Sequence, residues 1–243
     1  MNMNMKALRR VVLMVVALVA SSLSLVTVSS APASADTYNG AVDVRATVAV
    51  REGGTATVEA QVYFTAPDNE DYLVSAGTAR LEQLAYGSST WAAVSTQTIT
   101  TSTNKLTWTV RPAKTTKYRV VYSGGTYTYP SETVVWTPAT SAPVSVGVAR
   151  NLHDKYKKRT KVFSGKVTSY GRKPVMIQKT TCATPKAATC KWTKFRTVKT
   201  NAKGAWSVKL PFKRTKTTFR AVVKPGAGYI TSYSNWVIST QLR

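Results

Sequence analysis

Carboxylates almost vanish from the second half of this chain. After Glu132 the only acid is Asp154, and the whole sequence holds one histidine, His153, and two cysteines, Cys182 and Cys190. These scarcities exclude whole classes of chemistry. Glycoside hydrolysis needs a pair of carboxylates, which cannot be assembled beyond Asp154. A structural metal site needs several nitrogen or sulfur ligands, and one imidazole with two thiols falls short. His153 and Asp154 are adjacent in sequence, but neighbouring residues of a strand point to opposite faces, so they do not form a base and its orienting acid. No serine stands in a "GxSxG" nucleophile turn. The one acidic cluster, "PDNEDY" at 67–72, lacks the glycine and distal glutamate of a dedicated calcium loop and reads as a solvated turn. The chain is read as non-enzymatic, with no cofactor and no metal.

Long apolar runs are also missing after residue 35. The single example is "VVLMVVALVASSLSLVTV", preceded by Lys6, Arg9 and Arg10 and followed by Ala33-Ser34-Ala35, the order of charge, apolar stretch and small-residue exit found in a secretory signal peptide. Its 18 residues approach the roughly 20 of an uncleaved anchor. Ser21, Ser22 and Ser24 and the Ala-rich exit favour cleavage before Asp36. The expectation is residues 1–35 as a signal peptide and an exported mature chain with no transmembrane span. In an oxidising compartment Cys182 and Cys190, flanking "ATPKAAT", are expected to form a disulfide. Closing so short a loop contributes about 2.5 kcal/mol by chain entropy.

What the mature chain does contain is a repeat. "TATVEAQVYF" (55–64) matches "TKVFSGKVTS" (160–169), "ARLEQL" (79–84) matches "KPVMIQ" (173–178), and "STWAAVSTQTIT" (89–100) matches "CKWTKFRTVKT" (190–200). "LTWTV" (106–110), "TKYRVV" (116–121) and "PSETVVW" (130–136) recur as "GAWSVKL" (204–210), "TTFRAVV" (217–223) and "YSNWVIS" (233–239). The order is kept at a spacing near 100 residues, the mark of duplication. Each unit is a short run rich in Val, Thr, Tyr and Trp that alternates with period two, so the elements are strands. Adding one strand near 43–50 and a counterpart near 144–149 gives about seven strands per copy. The expected fold is all-β: two tandem Ig-like β-sandwiches over 36–137 and 144–243, joined by a Pro-containing linker at 138–143.

The strand sequences "FSGKV", "PVMIQ", "TNAKGAWSV" and "FRAVV" resemble the Ig-like or fibronectin-type repeats of many secreted proteins of high-GC Gram-positive bacteria. The likeness covers 40–243 and rests on core and turn positions: Phe163, Val167, Val175, Ile177, Gly204, Trp206, Val208, Phe219 and Val223. It implies a sandwich at the cell exterior and no particular activity, because this fold hosts many functions.

Charge divides the two copies. Residues 36–140 carry eight Lys or Arg against nine Asp or Glu, whereas residues 141–243 carry 23 against one. Fold stability does not require such an excess, which destabilises a compact chain by self-repulsion. A polyanionic partner explains it. The basic run "HDKYKKRTKVFSGK" supplies Lys155, Lys157, Lys158, Arg159, Lys161 and Lys166. Arg172, Lys173, Lys179, Lys191, Lys194, Arg196 and Lys199 fall on or beside the hairpin that carries the cysteines, and Lys209 and Arg220 alternate with inward residues. Trp192, Tyr170 and Tyr156 lie among these cations and are candidates for stacking on sugars or bases, although Trp91 holds the place of Trp192 in the neutral copy. The expected partner is an anionic cell-wall polymer such as teichoic acid, with the protein secreted and retained non-covalently at the wall. Nothing in the sequence reads bases, which excludes sequence-specific nucleic-acid binding. Two further readings are a module for another secreted or surface protein, with the basic copy as tether, and a cationic antagonist of neighbouring cells.

Overall fold

Alternation of apolar and polar residues turns the chain after residue 35 into strands. "LTWTV" buries Leu106, Trp108 and Val110 and exposes the threonines between them, and "AWSVK" buries Trp206 and Val208. The computed structural model describes residues 35–103, 105–128, 132–211 and 215–239. The segment read as a signal peptide lies outside the described residues, apart from Ala35. Among the described residues every regular element is a strand, and no helix is long and apolar enough to cross a membrane.

The first copy comprises β1 (Asp36–Tyr38), β2 (Gly40–Ala46), β3 (Ala49–Arg51), β4 (Ala56–Thr65), β5 (Asp71–Leu73), β6 (Thr78–Leu84), β7 (Ala92–Thr98), β8 (Leu106–Val110), β9 (Thr116–Tyr122), β10 (Gly125–Thr128), β11 (Thr133–Trp136), β12 (Ala139–Thr140) and β13 (Val144–Ala149). The second comprises β14 (Leu152–Lys157), β15 (Val162–Val167), β16 (Pro174–Thr180), β17 (Thr193–Lys199), β18 (Ala205–Lys209), β19 (Thr217–Val223), β20 (Ser232–Tyr233) and β21 (Val237–Ser239).

In the first copy β4 pairs with β2, β5 and β8 in one sheet, and β3–β13–β9–β6–β7 forms the facing sheet, with β12 also on β9. Val58, Val62, Leu81, Trp108, Tyr118 and Val120 fill the space between them. In the second copy β14–β15–β18 faces β17–β16–β19, and β20 and β21 both pair with β19. Phe163, Val175, Ile177, Trp206, Phe219 and Val223 make its core. Both copies are Ig-like sandwiches, and their duplication reaches fine detail. Each has a bulge at the same place, between Leu81 and Glu82 opposite β7 and between Ile177 and Gln178 opposite β17. Each also closes its last strand with a buried serine: Val120 N donates to Ser141 Oγ at 3.0 Å, and Ala221 N donates to Ser234 Oγ at 2.8 Å.

Four expectations need correction. Two of the repeat matches are out of register by two residues: strand pairing sets Glu59 against Lys166, where matching 55–64 with 160–169 sets it against Ser164, and sets Glu82 against Gln178, where matching 79–84 with 173–178 sets it against Met176. The stretch read as a linker carries β12, and Ser141 within it exchanges hydrogen bonds with Val120. The strand at 144–149 does not open the second copy. As β13 it closes the first, antiparallel to β9 and parallel to β3, and the true counterpart of β2 is β14, since these are the strands that pair with β4 and β15. The last strand of the repeat was also out of register. The first copy inserts a hairpin, β10–β11, between β9 and β12, and its "VVW" imitates the pattern of the final strand. The segment equivalent to "YSNWVIS" is therefore 140–146, because Thr140 pairs with Val121 as Tyr233 pairs with Val222.

The copies meet without a free tether. Tyr229 Oη donates to Glu52 Oε1 at 2.9 Å, Asn151 Nδ2 donates to the Glu52 carbonyl at 2.9 Å, and Thr115 N donates to the Gly228 carbonyl at 2.8 Å. Arg150 is buried at this junction, its guanidinium 3.9 Å from the ring centre of Tyr229 and 5.1 Å from that of Tyr170.

Candidate anion-binding faces of the second sandwich

Strand alternation sends Leu152, Asp154 and Tyr156 of β14 inward and His153, Lys155 and Lys157 outward. Across the sheet His153 stands beside Lys166, Lys155 beside Ser164 and Ser207, and Lys157 beside Val162 and Lys209. Gly165 belongs to the inward side with Asp154 and Trp206, where a Cβ would meet the His153 carbonyl and the Trp206 ring. The outer face carries exposed Lys155, Lys157, Lys166 and Lys209 around its margin. Among the described residues no protein acceptor pairs with any of the four. The equivalent face of the first copy is neutralised internally: Glu59 stands where the second copy has Lys166, and Lys105 Nζ lies 3.0 Å from Glu59 Oε1. Arg45, in the place of His153, lies 3.4 Å from Asp43.

The opposite sheets show a second divergence. In the first copy Arg119 of β9 stacks on Trp91 at 4.3 Å and donates through Nε to Glu82 Oε2 at 2.8 Å. Arg80 takes the other oxygen, with Nη2 to Oε1 at 2.7 Å. Burial alone pushes the Glu82 pKa up, but hydrogen bonds and charge from Arg119 and Arg80 outweigh it, and the net shift is downward. In the second copy Arg220 of β19 stacks on Trp192 at 4.0 Å and on Tyr233 at 4.5 Å. Its acidic partner has become an amide: Nε donates to Gln178 Oε1 at 2.9 Å. Burial between the rings lowers the Arg220 pKa, opposed by Tyr233. Where the first copy has Thr140, Pro143 and Ser145, the second has Tyr233, Trp236 and Ile238, all well exposed. Trp192 and Trp236 lie 6.4 Å apart between ring centres.

Most of the cations singled out from sequence lie on the surface. Lys158, Arg159, Arg172, Lys173, Lys191, Lys194, Arg196 and Lys199 are exposed, and Lys179 and Arg220 are partly covered. Three candidates do not hold their place. Lys161 is only 7% exposed, in a left-handed turn residue with φ 54°, because the chain folds back there and Leu210 N donates to its carbonyl. Tyr170 is 8% exposed and part of the core, with its hydroxyl donating to the Pro174 carbonyl at 3.0 Å. Tyr156 alternates inward and packs against the same core. Neither tyrosine is a stacking platform. Trp192 packs against Arg220 and is not a member of the core between the sheets. Tyr233 and Trp236 were missed, and the register error in the last strand hid them: once 233–239 is set against 140–146, aromatics appear where the neutral copy has Thr140 and Pro143.

Cys182 and Cys190 form a disulfide at the tip of the β16–β17 hairpin. Asp154, the lone acid, faces inward and accepts a hydrogen bond from Asn235 N at 3.1 Å, so it holds the β20–β21 crossover and makes no pair with His153. In the acidic turn 67–72 the Tyr72 hydroxyl donates to Asp68 and Glu70, each at 3.0 Å, and these bonds push its pKa up to about 12.

No protein-family model matches the chain, and no curated protein does. Among solved structures it is similar to the human OSCAR ligand-binding domain, with 14% identity and a TM-score of 0.29 over 82% of this chain and 97% of that one. It is also similar to the chicken CNTN1 FN1–FN3 domains, with 12% identity and a TM-score of 0.26 over 85% and 68%. At such identity and overlap nothing about ligands carries across.

Proposed function

We propose that the protein is an exported, non-enzymatic binder of anionic polymers at the cell exterior, and that the second sandwich carries the affinity. The observation that supports this reading is the outer face of β14–β15–β18, where Lys155, Lys157, Lys166 and Lys209 have no protein acceptor among the described residues while the same face of the first copy is internally paired through Glu59 and Lys105. Outward residues of one strand stand about 7 Å apart. Lys155 and Lys157 stand at that spacing on β14, with Lys166 and Lys209 on the two neighbouring strands, so a polymer of repeating phosphate or carboxylate laid on the sheet meets several cations and releases its own counterions on binding. The exposed Lys158, Arg159, Lys173 and Lys191 enlarge the field that draws it in. Teichoic acid or another anionic wall glycan fits this chemistry.

The test is retention of the protein on purified walls across a salt series, with the variant Lys155→Glu/Lys157→Glu/Lys166→Glu/Lys209→Glu alongside. If about six anions are neutralised, binding falls by roughly a thousandfold between 50 and 200 mM salt, and the variant shows a much shallower slope. Walls stripped of their anionic polymer should retain little. Equal retention by stripped walls, or binding unchanged at high salt, would sink the proposal and favour a protein partner.

A further inference from the structure

We propose that the outer face of β17–β16–β19, with the β20–β21 crossover, is a separate site for a carboxylate-bearing sugar ring, in which Arg220 takes the carboxylate and Trp236 and Tyr233 take the ring. The cationic face on the other sheet is not a premise of this inference.

The Arg220 guanidinium packs against two rings, its carbon 4.0 Å from the ring centre of Trp192 and 4.5 Å from that of Tyr233. One edge nitrogen, Nε, is engaged by Gln178. Among the described residues the two Nη groups have no protein acceptor. An edge-on pair of N–H donors is the arrangement that a carboxylate accepts in a forked bond. The duplicated copy shows the same guanidinium satisfied: Arg119, on its own tryptophan, takes the carboxylate of Glu82. The second copy keeps the Trp–Arg stack and removes the internal acid, which leaves the carboxylate to come from elsewhere.

The surroundings name the rest of the ligand. Tyr233, Trp236 and Ile238, 46%, 39% and 46% exposed, are the large apolar side chains that the second copy leaves most open; Tyr233 lies against Arg220, Trp236 lies beside the Trp192 that Arg220 packs on, and Ile238 pairs with Thr218 on the strand of Arg220. The crossover that carries them is preorganised, pinned by Ser234 to Ala221 and by Asp154 to Asn235. Flat aromatic faces beside polar edge groups suit a pyranose, whose C–H face stacks while its hydroxyls reach donors and acceptors; here Gln178 stands beside Lys194 in register. A protein interface needs about 800 Å² on each side, and three exposed apolar side chains set among lysines and threonines offer far less. The chemical class is a hexuronic acid unit of a glycan.

The experiment titrates the full chain with trigalacturonate, its methyl ester, polyglutamate and inorganic polyphosphate, following tryptophan fluorescence and heat. Trigalacturonate should bind and alter the fluorescence, with the neutral ester and polyglutamate weaker by about tenfold or more. Gln178→Glu, which restores the residue type with which the first copy folds, should satisfy Arg220 internally and weaken trigalacturonate by a similar factor. Lys155→Glu/Lys166→Glu should weaken polyphosphate and spare trigalacturonate. Equal binding of acid and ester, an unaltered affinity in Gln178→Glu, or polyglutamate matching the sugar would each overturn the inference. Failure of the cationic-face proposal would show instead in polyphosphate binding that Lys155→Glu/Lys166→Glu leaves unchanged.

Discussion

Glu82 shows how one residue decides the character of a sheet face. It is 7% exposed, a depth at which a carboxylate survives only with partners, and Arg119 and Arg80 supply them on its two oxygens. Because its folded pKa is lowered, its contribution is present above the ordinary carboxylate range near 4 and is lost as pH falls through the folded value. Glu82→Gln should therefore destabilise the first sandwich at neutral pH by about 1–3 kcal/mol and flatten the acid limb of its stability curve. Denaturant unfolding followed from pH 7 down to about 3 checks both, and an unchanged acid limb would mean that the arginines do not stabilise the ionised form. Gln178 gives the second sandwich no such acid dependence.

At the scale of elements, the strands could be read from alternation because each sandwich buries one face of each sheet, and period two follows from that alone. The outward placement of Lys166 and Lys209 was legible for the same reason. The final strand was not: the inserted β10–β11 hairpin carries a Val-Val-Trp run that meets the same local rule, and only pairing with β9 or with β10 tells the two apart. Tyr156 and Tyr170 look like surface aromatics because cations surround them in sequence, yet Tyr156 falls on the inward phase of β14 and Tyr170 folds under the β15–β16 turn onto the Pro174 carbonyl. The acceptor-free edge of Arg220 could not be read at all, since it depends on Gln178 lying opposite in register. The disulfide was legible from spacing and belongs to the β16–β17 hairpin. Cys182→Ser should lower stability by about 2 kcal/mol, measured by chemical denaturation with and without reductant. A variant as stable as the parent would show that the loop is already ordered without its bridge.

For the whole molecule the question is whether two cores of such different charge unfold together. The junction argues for coupling: Glu52 of the first sandwich is bonded by Asn151 and Tyr229 of the second, and Arg150 is buried beside it. The Tyr229 pKa is raised by burial, by its bond to Glu52 and by the charge of Glu52, with Arg150 opposing. The protonated hydroxyl is thus the stabilising form, and its contribution persists below about pH 10 and fades as pH rises through the folded value. The intact chain should unfold in one calorimetric transition. Asn151→Ala/Tyr229→Phe should separate it into two, since each sandwich keeps a core of its own. Ionic strength then identifies them. With 23 basic residues against one acid over 141–243, self-repulsion weakens the second sandwich, and salt that shortens the screening length from about 30 Å at 0.01 M to about 8 Å at 0.15 M relieves it. One transition of the variant should move upward with salt while the other, from the nearly neutral copy, stays in place, and inorganic polyphosphate should move the same transition further by mass action. Two transitions that shift equally, or a single one that persists in the variant, would show that the charge contrast between the copies does not govern their stability.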